Sequence, residues 1–333
     1  MTSPISVVIP VYNAEAYVRQ AVESALDQPE TGEVVLVEDG STDRSYDACR
    51  TLESSDSRVR LLQHEGGVNR GPGATRNLGL RSARNDTIAF LDADDFYLPG
   101  RFHSAPAVLD ERPEADGVYE AVGTHCEDEE ARERCRSQGT WELTTLTEAV
   151  PPERFFEAMF VEGKGGIHCD GLLVRRRIFD TVGGFDEELA LAQDTALWIR
   201  MSLQAVLVPG RLDEPVAMRR VHAANRCGLF DETFWQCQYL LWKKTLDWGY
   251  ANGVTGRRLD AILRNYVTRA DAWLFGKLPW RRRKLRSLLH LLPLVARHPR
   301  LARSSFLRDY AVLCLRCCLV GAAGPEPTDR RNA

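Results

Sequence analysis

Four short apolar runs, separated by helix-forming stretches, constrain this chain more than any other feature. Ile5–Ile9 (ISVVI) is rich in β-branched residues and is closed by Pro10. Val34–Val37 is wholly apolar, Val59–Leu62 is a third run, and Thr87–Leu91 is a fourth that ends at Asp92. Between them, Ala14–Gln28, Asp43–Leu52 and Pro72–Ala83 carry apolar residues at helical spacing. The last has proline in its first turn, where the missing N–H costs nothing. Strands that are apolar throughout, rather than alternating, belong to a parallel sheet covered on both faces. The expected fold class is therefore α/β, a mostly parallel sheet flanked by helices. Such sheets take ligands at the carboxyl ends of their strands.

Beyond Pro99 the pattern loosens. Arg101–Leu109 reads as helix and Gly117–Val122 as strand, while 123–150 is polar and acidic and reads as an excursion of low order. Pro152–Phe160 reads as a short helix. Leu172–Arg175 is a strand leading into a helix over Arg177–Val182, and Asp194–Leu203 is a further helix. Val206–Val208 and Pro215–Arg220 read as strands. From Asp231 to Val320 the spacing is helical, broken at Gly249–Gly256, Pro279 and Pro293. The expected domains are 1–228, a helical basic extension at 229–324, and a loose tail at 325–333.

Composition narrows the class. Hydrophobic residues make up 44% of the 333 and charged residues 27%, which supports a packed core and excludes disorder as the dominant state. No apolar stretch approaches the ~20 residues that span a bilayer, and the first apolar run reads as a core strand rather than a leader. A cytoplasmic protein is the expectation. The nine cysteines are irregularly spaced, unlike a disulfide scaffold. Cys314, Cys317 and Cys318 form a C-x-x-C-C cluster in an apolar run and read as small buried side chains rather than a metal site.

The net charge of −4 hides an asymmetry. Residues 276–333 hold 13 Lys and Arg against 3 acids, which leaves −14 on the rest. A basic cluster, Trp280–Arg286, precedes Leu288–Leu292, a pattern that can lie on an anionic membrane surface. It can equally be a packed helical subdomain with a basic face exposed. The charge is too local to imply a nucleic-acid partner.

Polar clusters close three of the strands. Asp92-Ala93-Asp94-Asp95 places three carboxylates within four residues, where a hard divalent cation would relieve their repulsion. A solvated acidic turn is the alternative. Glu38-Asp39-Gly40-Ser41-Thr42-Asp43 offers a carboxylate to a base or ribose, or simply caps the next helix. Pro10-Val11-Tyr12-Asn13 offers a ring for stacking, or a turn capped by Asn13. In a parallel sheet these ends are neighbours, and together they suit a nucleoside diphosphate with its metal.

The segments ISVVIPVYN, VVLVEDGSTD, GPGATRNLGL and IAFLDADD occur in this order, followed by LLVRRRIFDTVGGFDEEL, QDTALWIRM and MRRVHAAN. This series resembles the GT-A-fold inverting glycosyltransferases of family 2, over about Ile5 to Asn225. The resemblance implies a GT-A-like sandwich with a helical C-terminal extension. It also implies a donor pocket lined by Pro10, Tyr12, Asn13, Glu38 and Asp39, with Asp39 on the nucleobase. Arg76 and Asn77 match an R-N pair near nucleotide and sugar. Asp92, Ala93 and Asp94 would meet the ribose and the metal region. Asp94, Asp95 and His222 would hold Mn²⁺ or Mg²⁺. Arg220, in R-x-H, would approach the diphosphate, and Asp194 would be the catalytic base.

The implied reaction moves a sugar from a nucleotide-sugar donor, UDP-linked by default, to a saccharide or lipid-linked acceptor with inversion. Cell-envelope polysaccharide or glycolipid synthesis is the expected setting, with peripheral attachment to the membrane as a further expectation. Two positions depart from the pattern: Glu38 stands where aspartate is usual, and Gln193 where glutamate commonly precedes the base. A nucleotidyltransferase would more usually carry a Gly-rich loop where this chain has Tyr12-Asn13-Ala14-Glu15. A degenerate nucleotide-sugar-binding module is the other alternative. Asp92, Asp94 and Asp194 argue against it, and Gln193 keeps it open. His168 and Asp170 lie in a Gly-rich region expected to close over donor or acceptor. Lys164, in GKGG, lacks the flanking spacing of a phosphate loop.

Overall fold

The computed structural model describes residues 3–138, 143–223, 225 and 231–319, and the chain divides into two compact units, Met1–Leu229 and Phe230–Ala333. The first unit opens with β1 (Ile5–Val11), α1 (Val18–Leu26), β2 (Thr31–Glu38), α2 (Ser45–Ser55), β3 (Val59–Gln63), α3 (Pro72–Ser82) and β4 (Thr87–Phe90). It continues through β5 (Phe96–Tyr97), α4 (Ala105–Glu111), β6 (Gly117–Tyr119), β7 (Val122–Cys126), α5 (Glu129–Gln138) and β8 (Leu143–Thr144). It closes with α6 (Phe155–Phe160), β9 (Leu172–Arg175), α7 (Ile178–Val182), α8 (Gln193–Gln204), β10 (Leu207–Pro209) and β11 (Ala217–Val221).

Seven strands form the main sheet in the order β10-β6-β9-β4-β1-β2-β3, parallel except for β9, which runs antiparallel to both β4 and β6. Both faces of β1 are buried, which is why its sequence does not alternate. Ile5, Val7, Ile9 and Val11 pack with Val18, Val22, Cys49 and Leu109 from α1, α2 and α4. Val8 faces the opposite way, towards Leu80 of α3 with Phe155, Val182 and Leu197 from α6, α7 and α8. Helix α3 lies very close to the sheet. A Cβ on Gly79 would sit 2.3 Å from a Val8 methyl and 3.2 Å from a Val37 methyl.

Two expectations need correction. The described residues of 123–150 are not an excursion of low order. Within this segment β7 pairs with β8 and with β11, in a second sheet ordered β5-β11-β7-β8. The expected strand Gly117–Val122 is also two strands: β6 ends in the large sheet at Tyr119, and β7 begins the small one at Val122.

The second unit is helical: α9 (Glu232–Ala251), α10 (Gly256–Phe275), α11 (Trp280–Arg297) and α12 (Ser305–Leu319). Pro293 sits inside α11 rather than ending it. Buried Leu291 and Leu294 on either side of it supply the packing that holds the helix through the lost hydrogen bond. Asp271 of α10 is buried and accepts from Arg283 Nε (2.8 Å), Lys284 Nζ (3.0 Å) and Ser287 Oγ, all on α11. No helix among the described residues is long and apolar enough to cross a membrane. Cys314 is buried, whereas the side chains of Cys317 and Cys318 and the tail 325–333 lie outside the described residues.

Candidate functional site

Strands β4, β1 and β2 are adjacent and parallel, so their carboxyl ends meet. Most of the polar side chains there stitch the loops together. Glu38 is buried and accepts from Gly40 N (3.2 Å), Ser41 N (2.5 Å) and Gln63 Nε2 (2.7 Å). Burial works against its charge, but these donors win and hold the carboxyl below the usual range. Gly40 has φ +69°, and a Cβ there would meet Asn69 N at 2.7 Å, so the turn admits only glycine. Asp39, also buried, accepts from Arg70 N (2.7 Å) and Gly71 N (2.9 Å). Asn13 takes a left-handed conformation, φ +49°, and its Oδ1 accepts from Thr42 N at 2.8 Å. Pro10 is half-buried in β1 beside Val37. Tyr12, 49% exposed, presents its ring to solvent at this edge.

The acidic turn follows β4. Asp92 receives a hydrogen bond from Arg76 Nη2 of α3, whose guanidinium also stands 5.5 Å from the Phe185 ring centre. Burial would raise the Asp92 pKa, but Arg76 outweighs it and lowers the value. Arg76 itself is buried, and its Nε and Nη1 have no partner among the described residues. Ala93 is buried behind the turn. Asp94 is half-buried, with Oδ2 3.2 Å from both His222 Nε2 and Asn225 Nδ2. Asp95 is buried and accepts from Arg220 N at 2.6 Å.

Arg220 is clamped in place. Its Nε donates to the Asp94 carbonyl (2.8 Å) and its Nη2 to Gln20 Oε1 (2.5 Å), while Nη1 lies 3.4 Å from Glu127. The guanidinium stands between the rings of Tyr17 and Phe96, 5.0 and 5.3 Å from their centres. Its visible role is to fix the backbone of the acidic turn.

Antiparallel β9 delivers three further residues. Because it runs against β4, its start lies beside the end of β4, so the turn before it brings His168, Cys169 and Asp170 next to Asp92. Asp170 is fully buried and accepts from Asp92 N at 3.1 Å. Its carbonyl accepts from Arg101 Nε at 2.9 Å, and Arg101 pairs with Glu120 at 2.7 Å with both side chains wholly buried. Burial, then the neighbouring Asp92 charge, push the Asp170 pKa up to about 7. Burial and the adjacent Asp170 likewise raise Asp95.

One carboxylate–imidazole cluster lies here. Ligand atoms of Asp92, Asp95 and His168 fall within 4.8 Å of one another. Oxygen donors with one imidazole suit Mn²⁺, and the crowding that raises buried Asp95 is what a cation would relieve. The residues fit a divalent ion. Asp95 belongs to this cluster, whereas Asp94 and His222 bond to each other outside it. His168 carried no sign of this in the sequence, since strand direction is not written there.

Asp194 is the second residue of α8. The preceding Ala192 is left-handed, φ +62°, a strained conformation for a residue with a Cβ. Asp194 Oδ1 accepts from Thr195 N at 2.6 Å, and its charge acts on Arg76 together with that of Asp92. Gln193 is buried, and its Oε1 has no partner among the described residues. Asn77 is occupied by the loop leading to α8: Nδ2 donates to Phe185 O (2.9 Å) and Glu187 Oε1 (2.8 Å). Lys164 of GKGG pairs with Glu148 (2.6 Å) and Glu162 (3.1 Å).

Comparison with known proteins gives a consistent answer. Residues 6–183 match the family model described as glycosyl transferase family 2. The succinoglycan biosynthesis protein ExoU of Rhizobium meliloti is 31% identical over 206 residues, 59% of this chain and 56% of its own, so this chain spans about half the length of that relative. The crystal structure of S. aureus TarS 1-349 in complex with UDP-GlcNAc is similar with a TM-score of 0.57 at 18% identity, over 94% of this chain and 91% of that one. A mannosyltransferase from Pyrobaculum calidifontis, in complex with GDP-Man and Mn²⁺, gives 0.51 at 18% identity, over 97% and 89%. At these identities the two structures establish the fold, the GT-A sandwich.

Proposed function

The chain belongs to glycosyl transferase family 2, and from that premise we propose that it moves a sugar from a nucleoside-diphosphate donor to an acceptor hydroxyl with inversion. The observation that carries this reading is the hydrogen bond by which buried Arg76 holds Asp92 at the end of β4, with the charge of Asp194, from a distant part of the chain, acting on the same guanidinium. The UDP-GlcNAc complex of TarS favours a UDP-linked donor. The succinoglycan in the name of ExoU favours a saccharide or lipid-linked saccharide acceptor in polysaccharide synthesis.

The residues divide the work. Tyr12, the exposed ring at the β1 end, would stack on the nucleobase. Pro10, Asn13, Glu38 and Asp39 would shape that end of the crevice by holding its loops. Asp92, Asp95 and His168 would hold a divalent cation, which when bound supplies positive charge to the leaving diphosphate. Arg76 keeps Asp92 ionised, and Arg220 fixes the turn bearing Asp94 and Asp95. Asp194 would take the proton from the acceptor hydroxyl. Its Oδ1 is engaged by Thr195, which leaves Oδ2 for that task. A base so placed contributes about 10²–10⁴-fold in rate. Attack from the face opposite the leaving group inverts the anomeric centre.

Thermal denaturation with UDP-, GDP- and dTDP-sugars, each with Mn²⁺ or with EDTA, tests the donor. A ligand at ~100 times its Kd stabilises by about 2.7 kcal/mol. A metal-dependent rise with one nucleotide class is expected. The absence of a rise with every donor would count against the reading.

A further inference from the structure

Helix α11 turns polar side chains inward near its start and an apolar stripe outward along its length. Lys284 and Ser287 face inward and bond to Asp271. Leu285, Leu289 and Leu292 face outward and are 47%, 48% and 62% exposed. Steps of four and three residues align these leucines in one stripe, which exposed Pro293 and Ala296 continue. Single exposed leucines need no explanation. Three in line, on a helix that turns a lysine into the interior, do.

The stripe is flanked by positive charge. Arg282 and Arg286 are exposed on the same side, Arg297 is exposed at the far end, and the first two make no ion pair among the described residues. Between 276 and 315 the sequence contains a single acid, Asp309. The helix is too polar to enter a bilayer. An apolar stripe rimmed by arginines matches the boundary between anionic headgroups and acyl chains. A nucleic acid would leave the leucines in water. A second copy seated face to face would set arginine against arginine.

We propose that this face of α11 docks the protein on an anionic lipid bilayer, with the leucines entering the acyl boundary and Arg282, Arg286 and Arg297 meeting the phosphates. The proposal is independent of the donor and the reaction.

Co-sedimentation of the full chain with phosphatidylcholine vesicles, with and without about a third phosphatidylglycerol, tests it. The protein should pellet with the anionic vesicles and not with the neutral ones, and should release as salt rises. R282Q and R286Q should each weaken binding about fivefold. L285S/L289S/L292S should weaken it about a hundredfold, with an unchanged thermal midpoint because all three sites are exposed. If that triple variant does not fold, L292S alone, expected at about fivefold, and the wild-type comparison of the two vesicle types decide the matter. Equal pelleting with both vesicle types overturns the proposal, as does binding indifferent to the leucines. A leucine-dependent dimer without vesicle binding overturns it in favour of a second copy.

Discussion

Asn77 holds Phe185 from both sides of its peptide backbone: Nδ2 donates to Phe185 O at 2.9 Å, and Phe185 N donates to Oδ1 at 2.8 Å. The amide thereby fixes the loop that runs on to Ala192 and Asp194. Asn77→Ala should cost about 2–3 kcal/mol of stability through the two lost buried bonds. It should also lower kcat more than it raises donor KM. Gly184→Ala should act in the same direction, because its Cβ would lie 2.5 Å from Asn77 Oδ1. Steady-state kinetics with urea unfolding of both variants checks this.

Asp194→Asn should leave the thermal shift with donor intact while transfer falls about 10²–10⁴-fold. Unchanged transfer would remove Asp194 from the base role. The variant keeps the acceptor oxygen for Thr195 N, so the start of α8 should be undisturbed.

The metal ligands can be told apart. Mn²⁺ should raise the thermal midpoint of the donor complex, and EDTA should reverse the rise. His168→Ala should abolish the metal-dependent part, whereas His222→Ala should retain most of it, because His222 bonds to Asp94 outside the Asp92–Asp95–His168 cluster. The opposite ranking would assign the ion to Asp94 and His222.

The Arg101–Glu120 pair is wholly buried. Arg101→Met should destabilise by about 3–5 kcal/mol, since Glu120 loses its one close cationic partner and keeps only Ser104 Oγ, Arg211 N and the Arg211 guanidinium at 3.9 Å. Arg101→Met/Glu120→Met should cost less than that single change. Chemical denaturation of the variants gives the comparison.

Asp271 gives a pH signature. Burial opposes its charge, but Ser287, Arg283 and Lys284 outweigh it and hold its carboxyl below the usual range. A depressed pKa contributes stability present above the unfolded value, ~3.9, and lost as pH falls through the lower folded value. Below about pH 4 the second unit should therefore weaken. Asp271→Asn should cost about 3 kcal/mol at pH 7 by stranding Lys284, and should flatten that acid limb. Thermal midpoints between pH 3 and 7 measure both.

The strand ends of the large sheet were legible because β1, β2 and β4 are buried on both faces and therefore read as unbroken apolar runs. The small sheet was not, because VGTHC of β7 and the two-residue β8 are short and carry polar residues. His168 was noted only as part of a Gly-rich region. Its place beside Asp92 depends on β9 running antiparallel, which no residue pattern encodes. Arg220 was legible as a motif residue, but not the clamp of Tyr17, Gln20 and Phe96 around it, which draws on two separate segments. Pro293 illustrates the converse, a strong local signal overridden by packing on both sides.

The chain leaves the large sheet at Tyr119 and enters the small one at Val122, with Glu120 bonded to Arg101 at the crossing. For anyone recombining this protein with a relative, that crossing sets the seam. A transplanted segment that begins after Cys126 leaves the crossing and its ion pair native. One that begins within 117–120 imports a foreign residue at position 120 as the partner for Arg101, and so disturbs the residue that supports the Asp170 carbonyl beneath the acidic turn.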